Sequence, residues 1–577
     1  MAVLETLVDF LWGPWTPWFL FVIGVFFTVW TRFIQYNTLT HGISVVRGTY
    51  DRSDDPGAIN HFQALSAALS GTVGLGNIGG VALAIGIGGP GALFWMWVVG
   101  FFGMALKTVE ITLAMIYRNT EDPDNPHGGA MWVVDKALGS KGGIWKTLAK
   151  IIATFFCLTL INSALTGSSM FQSWNVANLT ENYFGLPPVG SGVLMIILVG
   201  LVIIGGIKRI GQVAAQLVPL MCILYIIAAF VVLALHIEKI PSLLTLVVKS
   251  AFNSTEPEGA FLGGTVGFAF MQGMKRALYS NEAGQGSAPI AHAAAKTSEP
   301  AREGIVGGIG PFIDTICICS LTAMVILATG TWNRNAIGQF GDDIILIQIT
   351  DSRDPIWRVN ASHDITKLPR LQQEEWKRGS QFFVLANVVG AVHGETGSNT
   401  IPVTGQIIET RIATNKKMAE KLRLKWKDLR LNESDWIGVP SGIVLENPEV
   451  YRHYGGAYLT AHAFDRQFPG LGKWLVTFAS WLFAISTMIT WAYYGEQGIV
   501  YIFGNRSVLP YKLFFLIAVF YGATGISGTG HILSIIDIST GAMLWANLPI
   551  VLALGHLAVR SLNEYLHRLK NGEFHPR

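Results

Sequence analysis

The sequence predicts an all-α polytopic membrane protein with eleven transmembrane helices. Of its 577 residues, 51% are hydrophobic and 14% are charged, and the mean hydropathy is +0.42. A soluble globular protein carries about 25% charged residues, so this composition indicates a large lipid-exposed surface. The apolar residues are also grouped in windows of about 20, the length that an α-helix needs to cross a bilayer.

Eleven apolar windows satisfy this length requirement. Polar or basic loops separate neighbouring windows. The segment before the first window carries Glu5 and Asp9 rather than basic residues, so we expect no cleavable signal peptide and a retained first span. The expected spans lie near 16–34, 62–87, 91–117, 147–174, 190–207, 212–236, 260–295, 305–330, 472–495, 510–524 and 531–558.

Lysine and arginine residues follow every second span. Positive charge beside membrane spans favours the cytoplasmic side, so this pattern predicts an N-terminus outside and a cytoplasmic C-terminus. The loop at 174–190, on the opposite side, contains no Lys or Arg. We expect a multi-pass protein of the plasma membrane, in bacteria the inner membrane. The basic residues that carry this prediction are Arg47, Arg52, Arg118, Lys136, Lys141, Lys208, Arg209, Lys296, Arg302, Arg506, Arg560, Arg568 and Lys570.

A polar stretch between residues 333 and 452 interrupts the hydropathy pattern. Its composition is that of a soluble domain, and we expect an extracytoplasmic insertion, because long translocated domains largely escape the charge rule. His363, His393, Glu395 and His453 are scattered through it without the spacing of a catalytic or metal site. Surface polar groups are the preferred interpretation of these four residues.

Two of the expected spans are interrupted by glycine and small polar residues. The first interruption covers 70–77, and the second runs from Gly263 through Gln272 and Gly273 to Gly286. An unpaired backbone N–H or C=O costs several kcal/mol in the bilayer core, so unwound backbone persists there only where it lines a cavity or holds a ligand. The two interruptions therefore predict a transporter.

The interruptions occupy the first and sixth of ten spans when the N-terminal span is set aside. This is the arrangement expected when five helices are followed by an inverted copy of themselves. The expected division is 1–60 for a peripheral N-terminal helix and cytoplasmic loop, 61–236 for the first repeat, 260–332 with 471–558 for the second repeat, 333–452 for the insertion and 559–577 for a cytoplasmic tail.

A helix that stops inside the membrane exposes N–H groups at one end and C=O groups at the other. The first carry partial positive charge and suit a carboxylate, and the second suit a cation. In the first interruption Ser70, Thr72 and Asn77 offer side-chain oxygens of the kind that hard cations prefer. The glycines there allow close approach to a ligand, with close helix packing as the alternative explanation.

The second interruption places Lys275, Arg276 and Glu282 among apolar residues. Ionisable groups inside a membrane are rare and are functional suspects. Two interpretations stay open for these three residues. They form a gate, or they neutralise one another in a structural network near a water-filled cavity on the inner side.

One face of the ninth span combines hydroxyls with aromatic residues. Phe483, Ser486, Thr487 and Trp491 have i, i+3, i+4 and i+8 spacing and therefore share a helical face. Two adjacent hydroxyls with a freed carbonyl can complete a sodium shell against the first broken helix. Ser and Thr in membrane helices usually bond to their own i−4 carbonyl, so this pair gains weight only beside that interruption.

Four sequence strings carry a family resemblance: SGTVGLGNIGGVALAIGIGGPGALFWMW, KRALYSNEAGQGSAPIAHAAAKTSEPAREG, FIDTICICSLTAMVIL and LFAISTMITWAYYGE. With these motifs the chain resembles the alanine or glycine:cation symporter family, also called sodium:alanine symporters, across nearly all of its spans. The resemblance implies the five-plus-five inverted-repeat fold of the leucine-transporter type with one extra N-terminal helix. It also implies symport of a small neutral amino acid, alanine or glycine, with sodium, or with protons in some members.

The same resemblance implies which residues form the site. The string GLGN at 74–77 matches the leucine-transporter pattern, in which backbone amides near Leu75 and Gly76 hold the substrate carboxylate, and Trp491 is implied to limit side-chain size. The implied substrate-binding residues are Gly71, Leu75, Gly76, Asn77, Phe270, Gln272, Gly273, Thr487 and Trp491. The implied sodium ligands are Ser70, Val73, Phe483, Ser486 and Thr487, with Thr72 and Asn77 in a second sodium site.

Two alternatives to sodium symport stay open. Proton coupling is one, because Glu110, Glu282 and Asp314 lie in apolar surroundings. A non-transporting amino acid sensor or a channel is the other, although a channel would need repeated polar rings rather than two asymmetric interruptions.

An enzyme is the class that the sequence disfavours. No segment joins a nucleophile, a His and a carboxylate, and all four cysteines sit in apolar runs without metal-ligand spacing. We expect no cofactor apart from Na+ as coupling ion. Nucleic acid is not an expected partner, because the basic residues cluster in short loops. The expected partners are a small neutral amino acid, Na+ and the lipid bilayer.

Overall fold

The computed structural model describes residues 2–13, 15–52, 54–339, 344–349, 356–361, 365–366, 380–411, 421–445, 449–526 and 530–574. Its helices are α1 (Ala2–Leu11), α2 (Trp15–Trp30), α3 (Gln35–Val46), α4 (His61–Thr72), α5 (Val81–Gly88), α6 (Gly91–Tyr117), α7 (Ala130–Gly139), α8 (Gly143–Leu165), α9 (Phe171–Phe184), α10 (Pro188–Ile203), α11 (Gly206–Ala234), α12 (Ile240–Phe252), α13 (Val266–Asn281), α14 (Ala288–His292), α15 (Pro300–Gly307), α16 (Ser320–Ala328), α17 (Ala457–Gln467), α18 (Leu471–Phe503), α19 (Val508–Gly525) and α20 (Gly530–Lys570). Wider π-helical turns at Gly76–Gly80, Thr166–Met170 and Phe312–Cys319 join neighbouring helices.

Within the described part of the chain, eight helices are long and apolar enough to cross a membrane, or nine when α4 and α5 count as one bent span. Pro188–Ile203 is a shorter apolar helix. Many large apolar side chains on these helices point outward, such as Ile197, Ile227 and Phe230, as lipid contact requires. The chain is therefore a mostly helical, multi-pass membrane protein. The count of eleven spans, the inverted repeat and the domain limits stay predictions.

Helix α6 lies at the centre of the helical body and packs against α2, α13, α15 and α20. Its bounds coincide with the predicted span at 91–117. Most of its residues are buried, including two charged ones, Lys107 and Glu110, which are 1% and 3% exposed. Charges at that depth require partners inside the protein, so α6 contributes polar contacts as well as apolar packing.

The prediction of an all-α protein is wrong for the polar insertion, which forms β-structure. Its strands are β1 (Gly338–Gln339), β2 (Ile344–Gln348), β3 (Ile356–Ala361), β4 (Ile365–Thr366), β5 (Gln381–His393), β6 (Thr400–Arg411), β7 (Lys421–Trp426), β8 (Leu429–Arg430), β9 (Trp436–Val444) and β10 (Glu449–Arg452). The physical reason is a period-two pattern: Phe382, Val384, Ala386 and Val388 of β5 all point into one core. Composition alone, used for the prediction, does not reveal this period.

The larger sheet is antiparallel and has β5 at its centre. β6 pairs along one side of β5, with Val384 opposite Val403, and β7 and β4 continue the sheet beyond β6. On the other side, β10 pairs with the first part of β5 and β9 with the second part. β2, β3 and β8 form a separate three-stranded sheet. Of the scattered polar residues, His393 packs edge-on against Trp436, whereas His363 lies outside the described residues.

The larger sheet is fixed to the helical body near the start of α13. Thr265, which caps α13 by accepting a hydrogen bond from the Phe268 amide, donates from both its amide and its hydroxyl to the carbonyl of Glu395, at 3.0 and 2.8 Å. Glu395 lies in the turn between β5 and β6. A second attachment joins the Ala260 amide to the Arg334 carbonyl at 3.0 Å. The sheet therefore sits over the end of the body at which α13 begins.

Candidate functional site

The first predicted helix interruption is present. α4 ends at Thr72, the next residue Val73 has φ −78° and ψ 90°, and helical structure resumes at Gly76 with a bend of 51° between the two halves. Gly74 lies in the gap against α18: a Cβ atom there would come within 2.7 Å of the Thr487 hydroxyl oxygen. A larger residue at 74 would therefore displace either the unwound backbone or Thr487.

The second predicted interruption spans Gly263 to Gly286, and within it only the part from Glu282 onward breaks a helix. Residues 266–281 form a continuous helix that includes Gln272 and Gly273, so placing the break there is wrong. The physical reason is that Gly273 serves helix packing, because a Cβ atom on it would lie 2.4 Å from the Ala92 carbonyl oxygen. The chain leaves the helix at Glu282, a left-handed residue with φ 56°, and α14 begins at Ala288.

A carboxylate on α6 holds the unwound backbone of the second break. Glu110 accepts hydrogen bonds from the amides of Gly284 and Gly286 at 3.2 and 2.7 Å. Asn547 of α20 donates to the same carboxylate at 2.5 Å and to the Gly284 carbonyl at 2.9 Å. Lys107 donates to the Asn281 carbonyl at 2.8 Å. These contacts satisfy backbone groups that an open helix leaves without partners.

Asn77 links the two breaks. Its side-chain oxygen Oδ1 accepts from the Gly74 backbone amide at 3.0 Å. Its side-chain nitrogen Nδ2 donates to the Ser280 hydroxyl at 2.8 Å and to the Asp314 backbone carbonyl at 3.0 Å. Asn77 is fully buried and does not line the cavity described below. Both polar ends of this side chain, which the resemblance assigns to substrate and sodium, are thus engaged with protein groups.

The hydroxyl face of α18 meets the end of α4, as the spacing suggested. Ser70 donates to the Ser486 carbonyl at 2.7 Å, and the Ser486 hydroxyl lies 2.9 Å from the Phe483 carbonyl and 3.3 Å from that of Ser70. Thr487 is 3% exposed, and its hydroxyl has no hydrogen-bond partner among the described residues. Four of the implied sodium ligands therefore lie together beside Val73, and one of them carries an unsatisfied oxygen.

Glu110, Glu282 and Asp314, the three acidic residues that keep proton coupling open, differ in their hydrogen-bond partners. Glu110 is saturated by the backbone of the second break. Glu282 accepts from Trp491 at 3.1 Å and from Ser287 at 2.6 Å. Asp314 accepts from Thr315 at 2.5 Å through one oxygen and interacts with Thr72, while its other oxygen, Oδ2, has no hydrogen-bond partner in the described part of the chain.

A cavity of about 1980 Å³ lies between the two breaks and extends to the sheet end of the body. It joins residues from α4, the first break, α13, the second break and α18. Of the residues implied to bind substrate, Gly71, Leu75, Gly76, Gln272, Thr487 and Trp491 line this cavity. Phe270 and Gly273 are placed elsewhere: Phe270 stacks on Trp18 with ring centres 4.6 Å apart and meets Trp95 edge-on.

The three charged residues of the second predicted interruption, Lys275, Arg276 and Glu282, do not neutralise one another as one interpretation required. Glu282 accepts hydrogen bonds from Trp491 and Ser287, whereas Lys275 and Arg276 interact electrostatically with the carboxylate of Asp537 on α20, which lines the same cavity. Tyr279 donates to the same carboxylate. The partner of the two basic residues is thus more than 250 positions away in sequence, where no local pattern reveals it.

Sequence reasoning also missed a cavity wall formed by α8 and α9. The π-helical turn Thr166–Met170 joins these helices and brings Gln172 to the cavity. Gln172 lies near the gap at Gly74, and its carbonyl oxygen has no hydrogen-bond partner among the residues described. The signal that could have found this wall is the polar run 166–169, Thr-Gly-Ser-Ser, inside the fourth predicted span.

The sequence is similar to those of several known proteins. A sequence model of the sodium:alanine symporter family matches residues 1–349 and 441–576. A sodium/alanine symporter of Methanococcus maripaludis is 31% identical over 571 residues, covering 99% of this chain and 98% of that protein. A putative sodium/proton-dependent alanine carrier protein of Bacillus subtilis is 30% identical, covering 97% and 92%. A sodium/proton-dependent alanine carrier protein of Bacillus sp. PS3 is 29% identical, covering 91% and 92%.

Proposed function

Because the chain belongs to the sodium:alanine symporter family, we propose that it is a secondary active symporter that imports a small neutral amino acid, alanine or glycine, together with Na+. The observation that carries this proposal is the cavity between two interrupted helices, bordered by the unsatisfied hydroxyl of Thr487. Unwound backbone at this depth is where membrane transporters bind substrate and coupling ion.

The amino acid zwitterion would lie between the two breaks. Its carboxylate would face the backbone at Leu75 and Gly76, where helical N–H groups begin again and carry partial positive charge. Trp491 would limit the size of the side chain, since its ring lines the cavity and its indole N–H is fixed by Glu282. Gln172, which lies beside the gap at Gly74, would offer to the ammonium group its side-chain carbonyl oxygen, for which the described residues provide no hydrogen-bond partner.

Na+ would bind where α4 ends. The carbonyls of Ser70 and Val73 end the first half-helix, and the hydroxyls of Ser486 and Thr487 face them from α18. Carbonyl and hydroxyl oxygens suit a hard monovalent cation, and Na+ would provide Thr487 with the partner that it lacks. A cation here would also keep α4 and α18 at a fixed distance, so that Na+ occupancy biases the conformation that binds substrate.

We propose that the sheets lie on the extracytoplasmic side, as the distribution of Lys and Arg predicts. The cavity extends toward them, so the structure would represent a state open to the outside. Alternating access would then close this cavity and open a route on the opposite side. At a membrane potential of about 100 mV, one cotransported charge contributes about 2.3 kcal/mol, which is about fiftyfold accumulation.

Uptake of labelled alanine into proteoliposomes tests the proposal. We expect saturable accumulation above equilibrium that disappears when external Na+ is replaced by choline. Thr487→Ala should raise the Na+ concentration for half-maximal uptake about tenfold, equivalent to about 1.4 kcal/mol. Thr524→Ala is the matched control, because the Thr524 hydroxyl is exposed and bonds to its own helix. Equilibration without accumulation would identify a channel, and binding without uptake a sensor.

Proton-coupled symport is the second candidate function. Two of the relatives are named sodium/proton-dependent alanine carriers, which is the observation that favours it. An inward proton gradient imposed in choline medium distinguishes the two ions. Sodium coupling predicts no accumulation under that gradient, whereas accumulation driven by the proton gradient alone would establish the second candidate.

A further inference from the structure

The outer part of the transport cavity is built partly by the inserted sheet. The cavity lining includes Gln381 of β5 and Gln406 of β6, which lie at the end of the cavity away from Trp491. Both residues fall in 350–440, the stretch between the two blocks that match the family. A solute that enters this cavity from the sheet end therefore passes a surface contributed by the insertion.

Basic side chains surround this outer end. The guanidinium groups of Arg334 and Arg452 lie 5.1 and 5.6 Å from the ring centre of Tyr454, so both cations make cation–π contacts with one aromatic ring. Arg334 also donates to the carbonyl of Arg452 at 2.6 Å. The ring of His462 on α17 stacks on the ring of Tyr454, with the two ring centres 4.2 Å apart. We call Arg334, Arg452, Tyr454, Gln381 and Gln406 the basic vestibule.

Three arginines, Arg334, Arg452 and Arg466, concentrate positive charge at the basic vestibule. Burial, followed by the charges of Arg334, Arg466 and Arg452, lowers the pKa of His462 to about 3. Burial and the charge of Arg334 likewise lower the pKa of His453. Both histidines are thus neutral at physiological pH, and the arginines supply the charge. Glu181 and Asp465 also line the cavity, and Asp465 accepts a hydrogen bond from the Gly472 amide at 2.7 Å.

We propose that the basic vestibule is an outer capture site for the carboxylate group of the transported amino acid. The proposal deepens the proposed function and rests on it. Guanidinium groups bind carboxylates through charge-assisted hydrogen bonds, and a concave, partly desolvated site concentrates ions of opposite sign. Glutamine side chains at the same rim can hydrogen-bond either end of a zwitterion. Capture here would raise the local substrate concentration at the entrance of the deeper cavity, in which Leu75 and Gly76 lie.

A charge series at Arg452 tests the capture site. We expect Arg452→Lys to leave the half-saturating alanine concentration nearly unchanged, Arg452→Gln to raise it about three- to tenfold, and Arg452→Glu to raise it further, each with the maximal rate retained. Arg358→Gln is the matched control. Arg358 belongs to the same insertion and pairs with Asp428 at 2.7 Å, but it does not line the cavity.

A second position keeps the test decisive if changes at Arg452 impair folding. Gln406 is an exposed strand residue at the cavity rim, and the sign of a new charge there can be chosen. We expect Gln406→Glu to raise and Gln406→Lys to lower the half-saturating alanine concentration. Propionate, used as a probe at constant Na+, should compete with alanine less effectively in Arg452→Gln than in the unaltered protein or in Arg358→Gln.

The outcomes separate this inference from the proposed function. If the unaltered protein accumulates alanine with Na+ but the charges at 406 and 452 leave half-saturation and propionate competition unchanged, the capture site is disproved and symport stands. If the unaltered protein accumulates no amino acid under any ion gradient, the proposed function itself fails.

Discussion

The two interrupted helices of the protein are held in their unwound form by different contacts. In the first, the Gly74 amide is satisfied from within the interruption by the Asn77 side chain, while Ser486 of α18 and Thr322 of α16 donate to backbone carbonyls on either side of it. In the second, the supporting groups come from other helices: Glu110 of α6 accepts from two backbone amides, and Asn547 of α20 donates to a backbone carbonyl. Asn77 marks the first break in its own sequence, whereas Glu110 and Asn547, which support the second break, lie far from it along the chain.

The comparison also indicates different functions for the two segments. The first break borders the hydroxyl face of α18 and lines the cavity. Beside it, the Thr487 hydroxyl has no hydrogen-bond partner among the described residues. The second break is hydrogen-bonded to α6 and α20, and its residues Glu282 and Gln285 line the cavity. We infer that the first break mainly binds ligands, and that the second mainly connects ligand binding to the surrounding helices.

Among the substitutions that test this comparison, replacement of Glu110 should lower the stability of the protein most. Glu110→Leu leaves two backbone amides and the Asn547 amide without their acceptor, each at a cost of about 1–3 kcal/mol. We expect a loss of about 3 kcal/mol or more in the free energy of unfolding, measured by SDS titration, and a smaller loss for Glu110→Gln. Glu564→Gln, an exposed carboxylate paired with Arg560, is the control. An unchanged stability of Glu110→Leu would show that the second break does not depend on α6.

Asn77→Asp should have the next largest effect, because it changes one atom in the link between the two breaks. The new carboxylate keeps an acceptor for the Gly74 amide but cannot donate to Ser280 or to the Asp314 carbonyl. We expect a loss of about 2 kcal/mol in stability and strongly reduced alanine uptake. Asn253→Asp, at an exposed residue that bonds to its own helix, is the control. Normal uptake by Asn77→Asp would show that the breaks act independently.

Alanine substitutions at Gly74 and Gly273 should separate ligand binding from packing. Gly273→Ala meets the Ala92 backbone at 2.4 Å and should cost about 1–3 kcal/mol in stability. Gly74→Ala meets only the movable hydroxyl of Thr487, at 2.7 Å, and should weaken Na+ activation with a smaller change in stability. Unfolding and Na+ titrations on both variants provide the check. The reverse pattern would place the ligand site at Gly273.

Trp491→Phe should have the smallest effect. The change removes the indole N–H that donates to Glu282 at 3.1 Å and shortens the ring that lines the cavity. We expect about 1 kcal/mol less stability and improved uptake of amino acids one or two methylene groups larger than alanine. Competition by a series of straight-chain amino acids measures this. An unaltered preference would remove Trp491 from the substrate pocket.

Features determined by neighbouring residues could be predicted from the sequence. The apolar window at 91–117 coincides with α6, and the run of glycine with Ser, Thr and Asn at 70–77 marks the first break. The face formed by Phe483, Ser486 and Thr487 follows from helical periodicity alone and meets α4 as the spacing suggested. In each case one short segment contains the whole physical cause.

Features determined by distant partners could not be predicted. The second break depends on Glu110, more than 170 positions earlier, and Arg276 faces Asp537, more than 250 positions later. Gly273 resembles a break residue in sequence, yet its absent side chain makes room for α6. In the insertion, the strand signal lies in the alternation of apolar residues along β5 and not in the composition of the stretch.

The most direct test of the central claim is a high-resolution structure determined with alanine and Na+. We predict alanine between the breaks at 73–75 and 282–287, and Na+ within coordination distance of Thr487, Ser486 and the Ser70 carbonyl. Ligand density outside this cavity, with 73–75 and 282–287 both wound into unbroken helix, would contradict the claim.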